Sequence, residues 1–166
     1  VLVGNGSNEM LVVLLMTLPI TQMQMLAGKF LAAFAFLAVT LGITLVYPLS
    51  ISMFGPLDWG PVAAGYIGLL ILGSAYLAVG LFTSAVTRNQ IVAFILGFAL
   101  LLVLFLADKI LFFVPGPLVG FVEYLGVEYH FQNFARGVID TKDLVYFASL
   151  ILVAFGATHL VLEGRK

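Results

Sequence analysis

The chain has 166 residues, is 63% hydrophobic and 9% charged, and carries a formal net charge of −1. Soluble domains carry about 25% charged residues, so lipid is the better solvent for this surface, and the near-neutral charge gives no footprint for nucleic acid. Cysteine is absent, which excludes disulfides, thiolate metal sites and cysteine nucleophiles.

From the N-terminus, Gly4-Asn5-Gly6-Ser7-Asn8 is a turn-rich opening, and Ser7 is placed to cap a helix starting near Glu9. Residues 10–18 form a short apolar run stopped by Pro19, and Thr21 is placed to cap a second short helix through Lys29. Two readings stand for residues 1–29: helices lying along the membrane interface, or the tail of a span.

Four later segments carry enough apolar residues to cross roughly 30 Å of hydrocarbon: residues 30–53, 61–86, 91–107 and 144–162. Pro48 should kink or end the first. Within the second, Gly65, Gly68, Gly73, Ala75, Ala78 and Gly80 let helix backbones approach closely, as packing in lipid requires. Residues 110–143 make a mixed stretch. Its first part is broken by Pro115, Gly116, Pro117 and Gly120 and reads as a re-entrant or interfacial piece. Its second part, 123–143, reads as a water-exposed loop with short helical turns. The expected fold is an all-α polytopic bundle of about four spans.

With Lys29 on the cytoplasmic side, alternation puts Arg88, Arg165 and Lys166 inside, and Lys109, Arg136 and Lys142 outside with most of the acids. No span carries a charge in its middle, which weakens ion-coupled transport and intramembrane catalysis alike. The span hydroxyls Thr40, Thr44, Ser74, Tyr76, Thr83 and Ser84 read as bonded to their own helix backbones or between helices, in preference to substrate contact. Trp59, Tyr47, Tyr66, Tyr124 and Tyr146 read as an aromatic belt. His130 and His159 lie 29 residues apart and make no ligand motif, so no metal site is expected. There is no nucleophile elbow and no phosphate-binding loop ending in Lys-Ser/Thr. Any ATP chemistry must come from another chain.

Gly6-Ser7-Asn8-Glu9, then Leu14-Leu15-Met16-Thr17-Leu18-Pro19-Ile20-Thr21 and Gly28-Lys29-Phe30-Leu31, resembles the opening pattern of ABC-2 type transporter permeases. Gly65-Tyr66, Gly80-Leu81-Phe82 and Thr87-Arg88-Asn89-Gln90 resemble the spans and cytoplasmic turn that follow. The stretch from His130-Phe131 through Phe134 and Arg136-Gly137 to Asp140 is similar to the HFExFxRGVID loop of the branch with gliding-motility and copper-processing (NosY-like) members, with Gln132 where that loop has Glu.

This resemblance implies a permease subunit in the bacterial plasma membrane, moving substrate outward. It implies pairing with a second permease, identical or not, and with a cytoplasmic ATP-binding cassette ATPase. The coupling segment to that ATPase would be residues 6–21, with Gly6, Glu9, Thr17, Pro19 and Thr21 on the matching positions. Such permeases have six spans, so a chain that starts at Val1 is expected to be a truncated form lacking the first two. No catalytic residue and no cofactor are expected in the chain itself. The alternative from a different class is a membrane anchor or assembly scaffold without transport.

Overall fold

The computed structural model describes residues 22–107, 109, 120 and 124–164. Gly6, Glu9, Thr17, Pro19 and Thr21, and the broken stretch around Pro115 and Pro117, lie outside the described residues. Among the described residues there are α-helices and no strand. They are α1 Gln22–Thr44, α2 Val46–Ser52, α3 Trp59–Val86, α4 Gln90–Leu106, α5 Val127–Ala135 and α6 Thr141–Glu163. The protein is an all-α helical membrane bundle.

Among the described residues, three helical stretches are long and apolar enough to cross a membrane: Met23–Ser52, Trp59–Val86 and Thr141–Glu163. They run past the charge-free segments, so that Lys29 sits inside α1 and Lys142 and Asp143 inside the first turn of α6. The third apolar segment makes α4, a helix of 17 residues. That is about 25 Å long, short of the hydrocarbon thickness.

Pro48 acts as expected at the end of the first segment. Lacking an N–H, it cannot bond the carbonyl of Thr44, and the helix is interrupted at Leu45, whose N–H turns to Gly42 O at 3.2 Å. Thr44 Oγ1 donates to Leu41 O at 2.7 Å. Its single proton is therefore used, and Tyr66 must donate across the 3.1 Å contact to Thr44 Oγ1. This bond ties the break to α3.

Helix α3 is the axis of the bundle and packs on α1, α4, α5 and α6. Asp58 caps its start, accepting from Gly60 N at 3.0 Å, and Asn89 caps α4 by accepting from Ile91 N at 2.9 Å. The small residues of α3 divide by use. Ala75 and Ala78 are buried. A Cβ on Gly73 would collide with Leu37 of α1, and one on Gly68 would lie 2.6 Å from the Cβ of Phe134 on α5. Gly65 and Gly80 face open space. Gly97 of α4 lies against Thr83 of α3. Close approach bought by missing side chains is the expected currency of packing in lipid, where burial of apolar surface between helices yields little.

Candidate functional site

The sequence places a polar, motif-bearing segment at residues 130–140, and the structure shows what it builds. Val127, His130 and Phe134 are spaced three and four residues apart and form the buried face of α5. Phe134 is fully buried, seated over Gly68 and 6.3 Å from the Phe147 ring. The chain then turns sharply. Gly137 has φ +85, and a Cβ there would lie 3.1 Å from the nitrogen of Pro61, so glycine answers both a left-handed backbone and a close approach. Asp140 starts α6 as its N-cap, accepting from Lys142 N at 3.1 Å.

Between α5 and α6 lies a buried polar clamp. His130 and Asp143 both have fully buried side chains, and His130 Nδ1 meets Asp143 Oδ1 at 2.7 Å. The other carboxylate oxygen accepts from Asn133 Nδ2 at 2.7 Å. His130 Nε2 meets the carbonyl of Tyr124 at 3.0 Å. A carbonyl only accepts, so Nε2 carries a proton, and Nδ1 is engaged by the Asp143 carboxyl. Both ring nitrogens are thus taken up by protein partners, which leaves neither turned toward a metal or a substrate proton. The ring stacks on Tyr146 with centroids 4.0 Å apart and planes 15° from parallel. Tyr146 donates to Leu125 O at 2.7 Å, so the backbone at 124–125 is held by two side chains from different helices.

The expectation of a water-exposed loop with short helical turns over 123–143 meets a divided segment, in which Gln132, Arg136 and Lys142 are exposed while His130 and Asp143 are buried. A segment so rich in polar groups looks hydrated in sequence, but here His130, Asn133 and Asp143 satisfy one another inside the protein, which is what makes their burial tolerable. Of the motif residues, His130, Phe134, Gly137 and Asp140 are brought together at this junction. Phe131 is half-buried against α3, and Arg136 is exposed. Sequence reasoning missed Asn133, Asp143 and Tyr146 as members. The available signal was the i, i+3 spacing of His130 and Asn133, which puts both on one face toward a carboxylate on the next helix.

A family model described as ABC-2 family transporter protein matches residues 12–151. The chain belongs to the ABC-2 transporter family. No match was found to a curated protein or to a solved structure. Family membership makes the chain a multi-pass membrane component of a transport system. Within an ABC-2 family chain the clamp is then best read as architecture: it joins α5 to the start of a spanning helix. Among the described residues, no three His, Cys, Asp or Glu side chains gather as a metal site.

Proposed function

We propose that this ABC-2 family chain is the permease subunit of an ATP-binding cassette exporter, driven by ATP hydrolysed on a separate cytoplasmic ATPase. The match over residues 12–151 carries this reading. It is supported by a sequence that holds no phosphate-binding loop and by spans free of ionisable groups at their centres, which suits a mechanically driven bundle better than an ion-coupled one. The ATPase docks on residues 6–21, where Glu9 and Pro19 stand on the coupling positions of the family pattern. A second permease completes the path in the bacterial plasma membrane, with α4 as one of four crossings. The likeness of residues 130–140 to the HFExFxRGVID loop supports the gliding-motility and copper-processing branch. On this topology α5 and the clamp lie on the extracytoplasmic side, where they hold the mouth of the bundle rigid while the cytoplasmic ends move.

The test is co-purification with the ATPase, followed by substitution of Glu9 and Pro19. Glu9→Ala and Pro19→Ala should leave the assembly intact while uncoupling ATP hydrolysis from transport. Full-length protein that brings down no ATPase, or variants with unaltered coupling, would refute the proposal.

A further inference from the structure

We infer that the Lys29 end of the bundle holds a binding site for the headgroup of an anionic phospholipid. A partly enclosed cavity of about 310 Å³ opens between α1, α3 and α6, lined by Leu26 and Lys29, by Leu81 and Ser84, and by Thr158 and Leu162. That volume is at the low end of small-ligand sites. Further along the same helices Phe30 packs edge-on against Phe155 with centroids 5.0 Å apart, and Ala78, Val79 and Ala154 form a buried apolar cluster. The lining residues fall in the first turns of α1 and the last turns of α3 and α6, the end of the bundle that carries Lys29, Arg88 and Glu163.

Two polar groups in its wall are unspent. Lys29 makes no ion pair or hydrogen bond with any described residue. Ser84 stands out for its hydroxyl. Thr40, Ser50, Ser74, Thr83, Ser149 and Thr158 all donate to their own helix backbones, whereas Ser84 has no hydrogen bond to any described residue. The carboxylate of Glu163, next to Leu162, is engaged with His159 at 3.5 Å. An ammonium and a free hydroxyl over apolar walls fit a group that is anionic, accepts hydrogen bonds and carries a greasy tail. A phosphodiester headgroup at the interface meets all three demands. Free phosphate would use the two donors and leave the leucine walls unmatched.

The test uses the full-length protein in mild detergent, with lipid adducts counted by native mass spectrometry as phosphatidylglycerol or phosphatidylcholine is titrated. Wild type should retain phosphatidylglycerol in preference to phosphatidylcholine. Lys29→Gln should weaken that retention about tenfold, as expected for loss of a charge-assisted hydrogen bond, and Ser84→Ala should weaken it several-fold. Arg88→Gln, a cation at the same end but outside the cavity wall, should bind as wild type does. Unfolding temperatures without added lipid check that the exposed Lys29 and Ser84 substitutions leave the fold intact. Lys29→Gln protein that holds phosphatidylglycerol as tightly as wild type would overturn the inference. So would equal retention of the two lipids, or displacement of the lipid by millimolar inorganic phosphate, which would assign the site to a free anion.

Discussion

Replacing Asp143 by alanine should be among the most damaging single changes in the described part of the chain. The carboxylate accepts from Asn133 Nδ2 and shares a proton with His130 Nδ1, both at 2.7 Å, with no exposure to solvent. Hydrogen bonds to charged groups contribute about 1.5–3 kcal/mol each, and leaving one member of a buried pair alone costs about 3–5 kcal/mol. The lower figure is the fairer guide, because the unfolded reference in a bilayer also finds partners for polar groups. At about 2–4 °C per kcal/mol for a chain of this size, the melting temperature should fall by about 10 °C. The single tryptophan, Trp59, lies at the start of α3, two residues before the proline that Gly137 packs against. Its fluorescence during thermal unfolding in detergent reads this junction. Asp143→Asn, which keeps one acceptor and the shape, should cost less. Replacing both members, His130→Phe with Asp143→Leu, should recover much of the loss, since an apolar pair no longer strands a buried polar group. An Asp143→Ala protein melting within about 2 °C of wild type, or a double variant weaker than Asp143→Ala alone, would refute the account of the clamp.

Glycine spacing gives a second contrast. Gly68→Ala drives a methyl into Phe134 and should destabilise by about 1–3 kcal/mol, while Gly65→Ala, one turn earlier and facing open space, should be neutral or slightly stabilising. Equal shifts in melting temperature for the two would contradict the packing described for α3 and α5. The third prediction concerns acid. The Asp140 carboxyl is held below its ordinary value of 3.8, chiefly by the Lys142 backbone N–H, against an opposing push from desolvation and with help from the Lys142 ammonium. A depressed carboxylate contributes stability that is complete above its ordinary value and is lost as pH falls through the folded one. Asp140→Asn keeps a competent cap but removes the titrating group, so its acid-unfolding limb should be shallower than that of wild type. Superimposable pH profiles would count against the assignment.

The spans were legible because lipid demands long apolar runs and little else, and 63% hydrophobic residues announce them. Their ends were harder to read. The charge-free segments begin at residues 30 and 144, yet a long flexible side chain such as that of Lys29 can lie along a helix and still reach water, so α1 and α6 begin earlier, at Gln22 and Thr141. Pro48 was readable because its effect is local: one missing N–H and one unpaired carbonyl. Asp143 was not. In sequence it is one more acid in a polar stretch, and only the turn at Gly137, which brings α5 back against α6, turns it into a buried acceptor. His130 hid the amphipathic pattern of α5 for the same reason. Read as apolar it completes the spacing of Val127 and Phe134, and it is apolar in effect once both of its nitrogens are engaged.

The clamp also has a consequence for the order in which the protein assembles. All its members lie between Tyr124 and Tyr146, and its links join residues 6, 10, 13 and 21 positions apart. Closing such short loops costs little chain entropy, so α5 and the start of α6 can lock together as they emerge from the insertion machinery. The seat of Phe134 over Gly68, by contrast, joins distant parts of the chain and must wait for that unit to meet α3. Hydrogen exchange should then find residues 124–146 protected as one cooperative block, a prefabricated corner set onto the bundle whole.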